Sequence, residues 1–335
     1  MKHILVTGGL GYIGSHTVVE LISNGYEPVI IDNLGNTNRD VLDRIQKISG
    51  KTTAFYEDDV RNEDALKNII EKHKIEAVIH FAAYKAVGES VLEPLKYYDN
   101  NIGGLISLLK AMKASGVKNM VFSSSCTVYG QPDVSPVTED SPVKVANSPY
   151  GNTKQIGEEI LHDCQFLNTV ALRYFNPIGA HPSALIGELP LGVPNNLVPF
   201  ITQTAIGLRP QLTVFGNDYN TKDGTCVRDY IHVVDLARAH VKALDYIDRH
   251  PDNHFEMFNI GTGNGFTVLE IINAFEEVNK VKLNYTIGPR RPGDVEKVWA
   301  DTDKASRVLN WKPELSLEDM VRTSWNWQKG LQAQS

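Results

Sequence analysis

The sequence predicts an α/β fold: a doubly wound parallel sheet with a second, smaller, mixed α/β domain. Three observations carry the prediction. In the first half, short apolar runs alternate with segments of helical period. The first apolar run ends in a cluster of glycines that opens the first helix. After Asn176 the pattern gives way to a long Gly- and Pro-rich stretch and mixed short elements.

The elements follow in order. HILVTGG is a strand running into glycines, and YIGSHTVVELISNG is helical in period with Gly25 as its stop. EPVIIDN is the second strand, a polar helical stretch covers about Asn38–Ser49, TTAFYEDDV is a third strand, and Asn62–His73 is helical again. EAVIHFAA and KNMVFSSS are strands separated by a helical segment from about Leu92 to Ser115, and TVALRYFN is a sixth strand. GAHPSALIGELPLGVPNN reads as a long functional loop. Beyond it, the helix signal near Val234–Arg249 and the strand FEMFNIG are suited to return to the first sheet, and a last helical stretch lies near Leu317–Gly330. The predicted division is residues 1–176, with a returning segment near 233–262, and residues 177–335.

Composition narrows the class. The chain has 335 residues, 42% hydrophobic and 22% charged, enough to bury a large core and wrong for a disordered chain. Its 33 basic and 40 acidic residues leave a formal charge of −7, which argues against a nucleic-acid partner. No apolar run reaches the length of a membrane span, and no secretory leader is expected at the N-terminus. Cys126, Cys164 and Cys226 are few, odd in number and widely spaced, so they read as free thiols of a cytoplasmic protein.

The glycine cluster carries the first chemistry. Thr7-Gly8-Gly9-Leu10-Gly11-Tyr12-Ile13-Gly14 joins the first strand to the first helix. Glycines there allow a tight turn and close backbone approach to a pyrophosphate, while the helix N-terminus offers free N–H groups and partial positive charge. Gly9, Gly11 and Gly14 fit one dinucleotide spacing, and Gly8, Gly11 and Gly14 fit its variant equally well. Asp32 ends the second strand 18 residues after Gly14. A carboxylate there accepts hydrogen bonds from ribose hydroxyls and repels a 2′-phosphate, so the expected cofactor is NAD and the first domain Rossmann-like.

A second set points to proton transfer. Ser148 can cap a helix that opens with Pro149, which puts Tyr150 and Lys154 on one face, four residues apart. A free phenol has a pKa near ~10, so a Tyr base needs help from a cation such as Lys154 and from an oxidised nicotinamide. Ser125 sits just past the strand Met120–Ser123 in FSSSCTVYG, at the sheet edge where ligands bind in such folds. Its hydroxyl can bridge Tyr150 and a substrate hydroxyl. Separately each residue has an ordinary structural reading; Ser125, Tyr150 and Lys154 behind a glycine loop form a specific set.

At this point the chain resembles the extended short-chain dehydrogenase/reductase superfamily and, within it, the UDP-glucose 4-epimerase family over essentially its whole length. The stretches that carry the resemblance are TGGLGYIGSHT, HFAAYKAVGESVLEPLKYYDNN, FSSSCTVYG, SPYGNTK, RYFNPIGAHPS, PNNLVPF, FGNDYNTKDGTCVRDYIHV and the R-x-G-D-x-x-x-x-W-A-D run ending at Asp301. The resemblance implies that Tyr12, Ile13, Asn33 and Tyr174 join Gly8, Gly11, Gly14 and Asp32 along the cofactor. It implies that Asp59 and Val60 flank the adenine, that Phe81, Ala82 and Lys85 lie along the cofactor with Lys85 near its pyrophosphate, and that Asn100 approaches the nicotinamide. Asn176 is then expected at the UDP-sugar, Asn195, Asn196 and Leu197 along its sugar and diphosphate path, and Phe215 near the uracil. The resemblance further implies that Arg228 and Arg291 hold the diphosphate and Asp294 the uridine ribose. A symmetric homodimer through the Leu92–Ser115 and Ser148 helices is implied as well.

No metal site is expected. There is no HExxH, and Pro251 interrupts the pair His250 and His254. His232, beside Asp229 and Tyr230, reads as a structural hydrogen-bonding residue at a strand–helix junction.

The superfamily runs several reactions, so the fold does not choose among them. Dehydratases resembling this chain carry an Asp-Glu pair where it has Cys126-Thr127, and elimination needs that extra acid and base. Epimerisation at sugar carbon 4 needs none. UDP-glucose and UDP-galactose are therefore the expected pair. A uronate epimerase or net oxidoreductase, and a non-catalytic NAD-binding sensor, remain as alternatives. One further expectation concerns pocket width: in resembling epimerases a Tyr just before the W-A-D stretch closes the sugar pocket, whereas here the position is Val298, which opens it to N-acetylated UDP-sugars.

Overall fold

A computed structural model describes residues 1–291 and 294–332. Its strands are β1 (His3–Thr7), β2 (Glu27–Asp32), β3 (Ala54–Glu57), β4 (Ala77–His80), β5 (Asn119–Ser125), β6 (Asn168–Tyr174), β7 (Asn176–Ile178), β8 (Leu212–Phe215), β9 (Val227–His232), β10 (Phe255–Ile260), β11 (Gly265–Thr267), β12 (Tyr285–Gly288) and β13 (Lys297–Val298).

The main sheet has the order β3-β2-β1-β4-β5-β6-β10, and every pairing in it is parallel. The period of a strand explains why both faces are covered. In β1, Ile4 and Val6 enter one core cluster and Leu5 enters the other; in β2, Ile30 faces the first cluster while Val29 and Ile31 face the second. The helices Tyr12–Ser23 and Val233–Arg249 fill the first cluster, and Glu63–His73, Gly104–Ala114 and Leu161 of Pro149–Asp163 fill the second. The strand FEMFNIG does pair with β6, Phe255 against Thr169 through Ile260 against Tyr174.

Strand order reverses between β1 and β4, which opens a crevice at the carboxyl edge of the sheet. A smaller layer faces that edge. It comprises β11-β9-β13 with β7 on β9, the pair β12-β8, and the helices Leu197–Ala205, Val268–Asn279 and Leu317–Gln332 around Ile201, Tyr230, Ile272, Phe275 and Val321.

The helical segment read from about Leu92 to Ser115 runs unbroken from Pro94 to Ala114 in three contiguous parts, Pro94–Tyr97, a π-helical turn Tyr98–Gly103, and Gly104–Ala114, and a separate short helix, Val87–Leu92, precedes it. Pro94 starts a new helix because its ring cannot continue the preceding one. The π turn places Asn100, 7% exposed, in the crevice wall, while the equally buried Asn101 donates to the Tyr84 carbonyl and the Thr153 hydroxyl behind it.

Candidate active site

The glycine loop is shaped by contacts that admit no side chain. Gly8 has φ +69°, and a Cβ on it would stand 2.8 Å from the Ala82 nitrogen. A Cβ on Gly14 would stand 2.2 Å from the Gly8 carbonyl oxygen. Of the two spacings open in the sequence, Gly8, Gly11 and Gly14 line the crevice, whereas Gly9 packs on Ile30. The helix Tyr12–Ser23 that follows has no side-chain cap and no acidic residue in its first turn, leaving an uncompensated positive end for a phosphate. Asp32 is buried beside it, each carboxylate oxygen accepting a backbone N–H at 3.0 Å, from Leu10 and Leu34. Burial raises its pKa, and the two N–H groups oppose that rise.

The crevice continues past Asn33, Val60, Phe81, Ala82, Lys85 and Asn100 to Ser125, Tyr150, Lys154, Tyr174 and Asn176. Asp58, rather than Asp59, stands in its wall; Asp59 is tied to Arg61 and accepts a hydrogen bond from the wall residue Asn33 at 2.9 Å. Sequence reasoning missed Phe175, Cys126 and Thr127 as wall residues, although Phe175 and Cys126 adjoin site residues it named and Thr127 follows Cys126.

The proton-transfer set is assembled by β5, β6 and the helix Pro149–Asp163. Ser148 caps that helix by accepting the Gly151 N–H at 3.2 Å. Tyr150 and Lys154 then share a face, with the Lys154 ammonium 5.9 Å from the Tyr150 ring centre and 5.1 Å from that of Phe122. Lys154 donates to the Ser123 carbonyl oxygen at 2.6 Å. Burial pushes the Lys154 ammonium down to about 8, with the Glu158 carboxylate acting in the other direction. Burial also pushes the Tyr150 phenol up to about 12, against the lowering effect of the Ser125 hydroxyl. The bare protein thus does not supply a phenolate, and a further positive charge in the crevice is needed to make Tyr150 a base. The residues fit NAD: a phosphate-sized cradle, a buried carboxylate at the ribose end, and space at Tyr150 for a cationic ring.

A second cavity opens from the first through Asn176, Pro177 and Asn196, which line both. Its wall holds Asn195, Leu197, Phe215, Arg228, Arg291 and Asp294. Arg291 grips Asp294 through two nitrogens at 2.7 and 3.2 Å, and Arg228 approaches the same carboxylate at 3.7 Å. The Arg291 guanidinium lies 5.9 Å from the Phe215 ring centre. Pro292 and Gly293 of the R-x-G-D run lie outside the described residues.

Val298, expected at the sugar pocket, sits in the layer just behind the two cavities. It is 7% exposed, lines neither cavity, and packs in an apolar cluster with Val128, Tyr129, Val137, Phe175 and Ala300. In the strand register Val298 pairs with Arg228 of β9, so it sits beside that cavity-lining residue on the same face of the small sheet. His232 is a structural residue: its Nδ1 accepts the Val234 N–H at 3.1 Å and its Nε2 bonds Thr323. Among the described residues no cluster of His, Cys, Asp or Glu is arranged to hold a metal ion, and no helix is long and apolar enough to cross a membrane.

A parallel doubly wound sheet, a glycine loop at its first crossover and a Ser/Tyr/Lys set at its carboxyl edge define an NAD-linked enzyme of the extended short-chain dehydrogenase/reductase class. Comparison with known proteins narrows the class. The model of the GDP-mannose 4,6 dehydratase family matches residues 5–324. A UDP-glucose 4-epimerase of Bacillus subtilis is 53% identical over 97% of this chain and 96% of its own length, and UDP-glucose 4-epimerase 2 of Arabidopsis thaliana is 52% identical over 97% and 95%. The structure of a UDP-glucose 4-epimerase from Stenotrophomonas maltophila, with bound NAD and formylated UDP-arabinopyranose, superposes with a TM-score of 0.97 at 48% identity over 100% of both chains. That from Bifidobacterium longum, in complex with NAD+ and UDP, gives 0.94 at 46% identity over 98% of each. The chain belongs to the UDP-glucose 4-epimerase family.

Proposed function

We propose that this chain is an NAD-dependent isomerase that interconverts UDP-glucose and UDP-galactose through a 4-keto sugar. The observation that carries it is the junction at Asn176 and Asn196, where a cofactor-shaped crevice ending in Ser125, Tyr150 and Lys154 meets a cavity lined by two arginines. Residues 1–176 with the segment 233–262 hold the cofactor, and residues 177–335 hold the nucleotide sugar.

Gly8, Gly11, Gly14, Tyr12 and Ile13 cradle the pyrophosphate, Asp32 and Asn33 take the ribose, and Lys85 faces the phosphates. Arg228 and Arg291 hold the UDP diphosphate, Asp294 the uridine ribose, Phe215 the base, and Asn176, Asn195, Asn196 and Leu197 the path to the sugar. Tyr150 removes the proton from the sugar 4-hydroxyl and gives it back, Ser125 bridges that hydroxyl to Tyr150, and Lys154 keeps the phenolate charge compensated. NAD held by these residues would supply a reversible hydride acceptor at sugar carbon 4. Since the cycle is redox-neutral, no second substrate is required. Cys126 and Thr127 line the crevice and offer no acid–base pair for elimination.

The same reading includes a homodimer and a cytoplasmic setting. Val91, Leu92 and Leu95 are 59, 80 and 81% exposed on neighbouring short helices, an apolar face suited to a second copy. The test of the function is direct: purified protein incubated with UDP-galactose, without added NAD, yields UDP-glucose. Turnover only with stoichiometric consumption of external NAD would replace this reading with a net oxidoreductase.

A further inference from the structure

Beneath the catalytic residues lies a buried ionic network. Arg173 of β6 makes a two-pronged pair with Glu158, Nε to Oε1 at 2.9 Å and Nη2 to Oε2 at 2.6 Å, and is 3% exposed. Ser124 of β5 donates to the same carboxylate at 2.5 Å. Arg173 also donates to the Tyr129 hydroxyl at 3.1 Å, which donates to Asn259 at 2.6 Å.

Each partner is one step from a residue in the crevice wall. Ser124 lies between Ser123 and Ser125, Arg173 precedes Tyr174, and Glu158 is one helical turn beyond Lys154. Side chains alternate along a strand, so Ser123, Ser125 and Tyr174 face the crevice while Ser124 and Arg173 point to its underside. On the crevice side the same three elements touch again, through Lys154 with the Ser123 carbonyl and the Ser123 hydroxyl with the Tyr174 hydroxyl. Burying an ion pair gains little stability over apolar packing, so its directional bonds are the feature that calls for an explanation.

We propose that Glu158 is a positioning residue for catalysis, its carboxylate clamping Ser124 and Arg173 so that Ser125, Lys154 and Tyr174 hold fixed places around the reacting sugar. The inference rests on the epimerase reading. The clamp also acts through charge. The groups facing the Lys154 ammonium are Glu158 and Tyr150 on its own helix, His80 from β4, and the Phe122 ring and Ser123 carbonyl from β5. Glu158 is the one anion among them, and it raises the Lys154 pKa against burial. Neutralising it withdraws that support, so the Lys154 cation is lost at lower pH.

The test compares Ser124→Ala, which removes one arm and keeps the ion pair, with Glu158→Gln, which keeps shape and removes charge. Both are assayed as NAD-loaded protein with UDP-galactose. The expected result is a kcat lower by about 10-fold or more in each, KM within about threefold, and unchanged NAD content. In Glu158→Gln the alkaline limb of the kcat profile also moves to lower pH by about one unit. Wild-type kcat and an unmoved limb overturn the proposal, even if the melting temperature falls. Should Glu158→Gln not fold, Ser124→Ala decides alone: reduced kcat with unchanged KM supports the clamp, and wild-type kcat overturns it. A wild type that does not epimerise UDP-galactose counts against the epimerase reading instead.

Discussion

Lys154 stands 5.9 Å from the centre of the Tyr150 ring and is held there by its bond to the Ser123 carbonyl, not by a bond to the phenol. Its effect on Tyr150 is therefore that of a nearby charge. Substituting Tyr150→Phe keeps the ring and removes the base, so kcat falls by about 10²–10⁴-fold while NAD and UDP-galactose still bind. Near-normal turnover in that variant contradicts the role given to Tyr150.

The charge on Lys154 sets a pH limit. Burial brings its pKa down to about 8, so the cation is present below that value and is lost as pH rises through it. Wild-type kcat should accordingly decline above about pH 8. In Lys154→Met the phenolate loses its compensation at every pH, so turnover drops and the rise attributed to Tyr150 shifts upward. A kcat profile in Lys154→Met that superposes on the wild type excludes this account.

The cofactor cradle gives the third prediction. Gly14→Ala places a methyl group 2.2 Å from the Gly8 carbonyl, a separation no packing tolerates, and the loop must open. The variant should purify with less than about a tenth of the wild-type NAD, a loss of at least ~1.4 kcal/mol in binding. Quantifying NAD released by acid from both proteins decides the matter.

These predictions draw on residues whose legibility in the sequence differed for physical reasons. β1, its glycines and the first helix were visible because period, turn chemistry and a helix start coincide within Thr7–Gly14. Ser148, Pro149, Tyr150 and Lys154 were visible because capping and i,i+4 geometry are local. The π turn at Asn100 was not, because the apolar positions keep a helical spacing across it while Gly104 settles against Val60, where a Cβ would meet its side chain at 2.6 Å. The Ser124–Glu158–Arg173 clamp was not legible either: it joins two strands and a helix through side chains on the far face from the motif, and no spacing announces it. The same applies to Phe175, whose place in the wall depends on where β6 ends.

Acid stability supplies a fourth prediction. His16 and His80 are fully enclosed and pushed down to about 3, and His232 and His240 to about 4, in each case mainly by burial. A histidine whose folded pKa lies below its unfolded value of about 6.5 leaves the unfolded chain as the stronger proton binder once pH falls past 6.5. Stability is thus full above about pH 6.5 and erodes as pH falls from there toward the folded values. Between pH 6.5 and 5, above most carboxylate titration, calorimetry in buffers of different ionisation enthalpy should show net proton uptake on unfolding and a falling melting temperature. Proton release in that window contradicts the assignment.

The last prediction concerns Val298 and the width of the sugar site. Val298 lines neither cavity, yet it touches both walls indirectly: it packs in the cluster with Phe175 of the crevice and pairs in register with Arg228 of the nucleotide cavity. A Tyr at this position must place a phenol ring where the cluster is already closed. Overpacking a filled cluster costs about 1–3 kcal/mol, so the ring is expected to turn toward the cavity lined by Arg228, its register partner on the same face. With Val in place that space stays free, and the wild type should epimerise UDP-N-acetylgalactosamine as well as UDP-galactose. Val298→Tyr should keep the plain sugar and lose the N-acetylated one, its kcat/KM ratio for the two shifting by about 10-fold or more, the worth of a steric contact of ~1.4 kcal/mol. The measurement is kcat/KM for both sugars in both proteins. A wild type that already rejects the N-acetyl sugar by more than about 10³-fold, roughly 4 kcal/mol, shows that other residues close the site and that Val298 does not control its width.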